Sequence, residues 1–129
     1  MTENEVGTVI VDTAIAIHRV TGPGLLESVY ETIMVSELIK RGLAVRRQMP
    51  IRICYEDLIF EQGFRADIVV ERKVIVELKS LERVLPAHRK QLLTYLRLSG
   101  CKLGYLLNFG ASLMREGIFR CVNQMDEGR

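Results

Sequence analysis

Val6, Val9, Ile10, Thr13, Ile17 and Val20 recur at helical intervals, and Thr2 with Glu5 has the spacing of a capping box just before them. The pattern predicts a first helix over about residues 3–20, closed by Thr21-Gly-Pro-Gly24. Leu26, Val29, Tyr30, Ile33, Leu38 and Ile39 repeat the period, so a second helix is expected from about Leu25 to Arg41, with Gly42 as its stop. The chain then reads as extended from Leu43 to Tyr55, with Pro50 marking an edge or a bend. Glu56-Asp57 opens a predicted turn region that closes near Gly63.

From Phe64 the period changes to two. Phe64 to Val70 alternates, Glu71-Arg72-Lys73 is a polar turn, and Val74 to Lys79 alternates again, which predicts a hairpin. Pro86 suits the first turn of a third helix that runs to about Ser99, with Leu92, Leu93 and Leu96 apolar and Gly100 at its end. Lys102 to Asn108 reads as a short apolar strand, Gly110 and Ser112 as loop, Gly117 to Val122 as a last strand, and residues 123–129 as a frayed tail. The order α-α-β-β-β-α-β-β describes an α/β fold, a mixed sheet flanked by helices, in a single domain over residues 1–129.

Register gives the hairpin its chemistry. If residues 71–73 form the loop, Val70 pairs with Val74 and Asp67 lies opposite Glu77. Lys79 then projects from the face that carries Glu77. Two facing carboxylates repel unless something offsets the charge, and a divalent cation does so; carboxylate and carbonyl oxygens suit magnesium or manganese. A one-residue slip would send Asp67 to the other face, and an isolated D…E-x-K match is otherwise a solvated strand face. On the third helix His88, Gln91 and Tyr95 share a polar face apart from the Leu92 and Leu96 stripe. Gln91 and Tyr95 suit a phosphate or a bound water, whereas His88 has no second ligand at metal spacing. On the second helix Glu27 and Tyr30 fall on adjoining parts of one face; a first-turn acid and a core aromatic explain each by itself.

Composition narrows the class. The chain has 129 residues, 48% hydrophobic and 26% charged, as a globular domain requires. Cys54, Cys101 and Cys121 stand far apart with no C-x-x-C spacing, which suggests neither a zinc ribbon nor a paired disulfide framework and points to a reduced, cytoplasmic protein. Asp12 interrupts the apolar stretch from Val6 to Ile17, so no membrane anchor is expected. Net charge is +2 but uneven. Residues 1–39 hold six acids and one base, net −5, whereas residues 40–120 hold sixteen bases and eight acids, net +8. A phosphate-bearing partner fits that basic segment.

Gly24-x-x-Glu27-x-x-Tyr30, Phe64-Arg-Ala-Asp67, Val76-Glu77-Leu78-Lys79, Gln91-x-x-x-Tyr95-Leu96 and Leu107-Asn108-Phe109-Gly110 together resemble the GxxExxY family. That family is a small branch of the PD-(D/E)XK nuclease superfamily, with a restriction-endonuclease-like fold, and the resemblance runs from about Ile10 to Arg120. It implies that Asp67 and Glu77 ligate a magnesium or manganese ion with the Leu78 carbonyl, and that Lys79 positions or deprotonates the attacking water. Glu27 matches the helix acid that completes the metal site or orients its water. Gln91 and Tyr95, with Tyr30, match the supporting helices. Ala66 stands where the superfamily's name has proline. The implied activity is hydrolysis of DNA or RNA phosphodiesters by activated water, without a covalent intermediate. No Ser or Cys here has the neighbours of a nucleophile. Two other readings stay open: a catalytically silent nucleic-acid-binding module, and a homo-oligomeric scaffold. So small a domain, with few places to wrap a duplex, is also a candidate for dimerisation.

Overall fold

A computed structural model describes residues 1–125. Helices α1 (Glu3–Thr21) and α2 (Glu27–Lys40) come first, followed by β1 (Val45–Tyr55), β2 (Leu58–Val70) and β3 (Val74–Lys79). Helix α3 (Pro86–Ser99), β4 (Leu103–Asn108), a 3-10 turn (Met114–Gly117) and β5 (Ile118–Val122) complete the order. The five strands form one mixed sheet in sequence order, antiparallel except for the parallel β3–β4 pair. The Asp126–Arg129 part of the expected frayed tail lies outside the described residues. Asn123 is tied down, its side-chain amide donating to the Leu96 and Cys101 carbonyls.

Local chemistry explains the element ends. Thr2 and Glu5 exchange the two hydrogen bonds of the capping box at 3.0 and 3.1 Å. Helix α2 starts at Glu27 rather than Leu25, because the buried Tyr30 hydroxyl donates to the Gly22 carbonyl (2.6 Å) and accepts from the Leu25 N–H (3.2 Å). That pair of bonds holds the preceding loop in a non-helical path. The His88 Nδ1 accepts from the Leu85 N–H at 3.0 Å, so this histidine caps the start of α3.

One expectation is corrected. The turn after β1 is only Glu56-Asp57, and residues 58–63, read as turn from their sequence, belong to β2. Tyr55, Cys54 and Ile53 pair with Leu58, Ile59 and Phe60, so the cross-strand partners lie just across the turn. An irregularity between Ile51 and Ile53 takes up the extra residues of β2. Gly63 sits there because a Cβ would lie 2.3 Å from the Ile53 side chain.

The sheet separates two apolar layers. On one face Val74, Val76 and Leu78 of β3 and Leu103, Tyr105 and Leu107 of β4 pack with Val6, Ile10, Ala14 and Ile17 of α1 and Tyr30, Met34 and Leu38 of α2. On the other, Ala66, Val69, Ile75 and Leu106 pack with Leu92 and Leu96 of α3. Strands β3 and β4 are therefore covered on both sides, which is why their sequences read as near-continuous apolar runs. Each such Val, Leu, Ile or Met side chain contributes about 1.5–3 kcal/mol relative to exposure.

Candidate active site

The hairpin register is the predicted one. Val70 pairs with Val74, Val69 with Ile75 and Ile68 with Val76, which carries Asp67 to the position opposite Glu77. The turn that sets this register holds Glu71 and Arg72 in the left-handed region (φ 52° and 56°), and the Lys73 N–H donates to the Val70 carbonyl at 3.0 Å. Past Ile68 the strands part, and the Asp67 carboxylate crosses the gap to accept the Leu78 N–H at 2.9 Å. The pleat that sends Ile75 toward α3 sends Glu77 and Lys79 the same way.

Glu77 has a buried Oε1 atom with no hydrogen-bond partner. Burial in the first place, and the Asp67 carboxylate beside it in the second, push the Glu77 carboxyl up to about 9, while Lys79 acts in the opposite direction. A carboxyl in this environment keeps its proton at neutral pH unless a cation replaces it. Tyr95 stands on the α3 side of the pair, its ring stacked on Phe64 with centroids 3.8 Å apart. Burial raises its hydroxyl pKa, and the charges of Glu77 and Asp67 raise it further.

Residues to which the sequence alone gave no role also build the site. Glu31 of α2, only 7% exposed, accepts from Arg47 Nη2 at 2.8 Å and from Gln48 Nε2 at 2.6 Å. Gln48 falls opposite Asp67, has φ 47°, and its Nε2 lies 3.5 Å from Asp67 Oδ1. A chain of contacts thus runs from α2 through β1 to the hairpin carboxylate. Asn108, opposite Lys79 in the parallel ladder, accepts from the Leu81 and Gly110 N–H groups and donates to the Leu81 carbonyl. Gly110 permits this close approach, since a Cβ there would lie 2.2 Å from the Leu81 carbonyl oxygen. Asn108 and Gly110 therefore pin the segment that leaves Lys79. The one available signal for Glu31 was its position four residues after Glu27, on the same helix face.

Asp67, Glu77, Lys79 and Tyr95 are brought together, and the remaining expected residues are placed differently. Glu27 is exposed and lines a neighbouring cleft with Ser80, Leu81, Glu82 and Gly110. Among the described residues no three His, Cys, Asp or Glu side chains gather as a metal cluster, so Glu27 does not join the carboxylate pair. Gln91 is exposed one turn before Tyr95. Tyr30 is fully buried and stacks on Phe109 at 4.5 Å, so its support acts through the Gly22 to Leu25 loop. The donor set nonetheless suits a hard cation: two adjacent carboxylates, one with an unsatisfied oxygen, and the Leu78 carbonyl between Glu77 and Lys79.

Among the described residues no helix is long and apolar enough to cross a membrane. The sequence model of the PD-(D/E)XK nuclease superfamily matches residues 4–121. No curated protein and no solved structure matches the chain.

Proposed function

Because the chain belongs to the PD-(D/E)XK nuclease superfamily, we propose that it is a metal-dependent nuclease hydrolysing DNA phosphodiester bonds, with Asp67, Glu77 and Lys79 as its catalytic residues. The observation that carries the reading is the buried, unpartnered oxygen of Glu77 beside Asp67. A carboxylate oxygen buried without a partner, next to a second half-buried acid, is costly unless a ligand uses it. The Gly24, Glu27 and Tyr30 spacing supports assignment to the GxxExxY branch of that superfamily.

Asp67, Glu77 and the Leu78 carbonyl would hold magnesium or manganese. Such an ion supplies charge neutralisation at the scissile phosphate and acidifies water. The Leu78 N–H fixes Asp67 by its hydrogen bond, and Gln48, held by Glu31, limits its other oxygen. Lys79, set by the β3–β4 ladder and by Asn108 beyond it, orients the attacking water and shuttles its proton. The Phe64–Tyr95 stack flanks the pair on its α3 side. Glu27, in the adjoining cleft, orients water or substrate from the α2 side. Gln91, exposed on the Tyr95 side of α3, donates to a substrate phosphate.

Incubation with single- and double-stranded DNA and RNA, with magnesium or manganese, tests this beside Lys79→Ala and Glu77→Ala. Cleavage by the wild type alone is expected, with DNA preferred. Equal cleavage by all three proteins would mean a contaminating nuclease. Salt-dependent DNA binding without cleavage would identify a silent binding module instead.

A further inference from the structure

The β1–β2 hairpin outruns the sheet. Strand β2 pairs with β3 only over Ile68–Val70, whereas it pairs with β1 as far as Leu58. The outer residues form a two-stranded arm reaching roughly 20 Å beyond the site. Residues that face each other across an antiparallel pair share a face, so Ile53, Tyr55, Leu58 and Phe60 make one apolar stripe. Tyr55 is 63% exposed, Leu58 58% and Phe60 49%. A lone two-stranded ribbon with such a stripe is marginal in water and gains from a partner. The arm is also acidic: residues 51–63 hold Glu56, Asp57 and Glu61 against Arg52, net −2.

A cavity of about 390 Å³ lies at the other side of the molecule, between α3 and β5, with Pro86, Leu93 and Phe119 as apolar walls. Its charged residues are Arg89, Lys90 and Arg120, all basic. Arg89 lies over the Phe119 ring at 4.9 Å, and Arg120 also donates to Asn4. On α3, Arg89 and Leu93 fall on the flank opposite Gln91 and Tyr95, so an occupant here leaves the proposed catalytic side open. The arm offers an apolar stripe with acids at its tip, and the cavity offers apolar walls with a basic rim. A nucleic acid is the poorer occupant for the arm, because the acids at its tip repel phosphates.

We propose that the arm of one copy docks in the α3–β5 cavity of a second copy, and reciprocally, forming a two-fold dimer. Light scattering after size exclusion tests it on the full chain. The wild type is expected to be a dimer at micromolar concentration, and Phe60→Ser should weaken association by roughly tenfold or more. Glu56→Lys with Asp57→Lys should give monomers, as should Arg89→Glu with Lys90→Glu. Combining all four substitutions in one chain should restore the dimer, since each arm again meets opposite charge. Circular dichroism checks that each variant is folded, and Phe60→Ser carries the test if a charge reversal is not. A wild-type monomer up to sub-millimolar concentration would overturn the proposal, as would a dimer indifferent to the folded arm variants. Failure of the four-substitution chain to re-associate, or a monomer whose arm instead captures single-stranded DNA, would also overturn it.

Discussion

Replacing Glu77 with glutamine should stabilise the metal-free protein at neutral pH, although the change removes a residue of the proposed catalytic centre. Burial and the neighbouring Asp67 hold the Glu77 carboxyl at about 9 against an ordinary 4.5. Between those two values the folded chain keeps a proton that the unfolded chain releases, so folding stability falls as pH rises from about 4.5 to about 9. Near pH 7.5 the gap from the unfolded value is about three pH units, which at ~1.36 kcal/mol each sets a ceiling of about 4 kcal/mol. Water entry and side-chain relaxation reduce this, and a gain of ~1–3 kcal/mol is expected for Glu77→Gln. Glutamine has nearly the same shape and carries no charge, so it also removes this residue's share of the pH slope. Urea unfolding with a chelator present, from about pH 5 to 9 at constant ionic strength, measures both effects. If the variant is no more stable than the wild type near pH 7.5 and retains the full slope, the argument that Glu77 is an uncompensated buried acid fails.

Three further outcomes follow from the same geometry. Magnesium binding should release a proton from Glu77 and tighten by up to about tenfold per pH unit below its pKa; calorimetry in buffers of different ionisation enthalpy counts that proton, and binding with no release would contradict a role for Glu77 as ligand. Asn108→Ala leaves the Leu81 and Gly110 N–H groups and the Leu81 carbonyl without their partner, so a loss of about 2–4 kcal/mol is expected in denaturant unfolding, with weaker cleavage because Lys79 is less well held. Arg72→Gly should stabilise by about 0.5–1 kcal/mol, because Arg72 occupies the left-handed region at φ 56° where a side chain is strained; an unchanged or lower melting temperature would count against strain in the turn.

Much of the site could be read along the chain. The alternation of residues 64–70 and 74–79 around a three-residue turn determined that Asp67 meets Glu77 and that Lys79 shares the Glu77 face, because strand pleat and hairpin register are local properties. The period of α3 likewise separated Tyr95 from the core positions Leu92 and Leu96. Short-range periodicity did not extend to residues 58–63, whose strand state depends on pairing back to β1 rather than on their own Glu-Gln-Gly composition.

The sequence by itself thus determined the element order, the superfamily motifs and the carboxylate pair. Only the tertiary structure decided that Glu31 and Gln48 brace Asp67, that Asn108 and Gly110 pin the segment after Lys79, and that Glu27 stands in an adjoining cleft instead of joining the pair. It also decided the protonation of Glu77. Desolvation depends on which distant elements cover a group, and here α3 and β2 cover one strand of the hairpin; no spacing along the chain encodes how much water they leave behind.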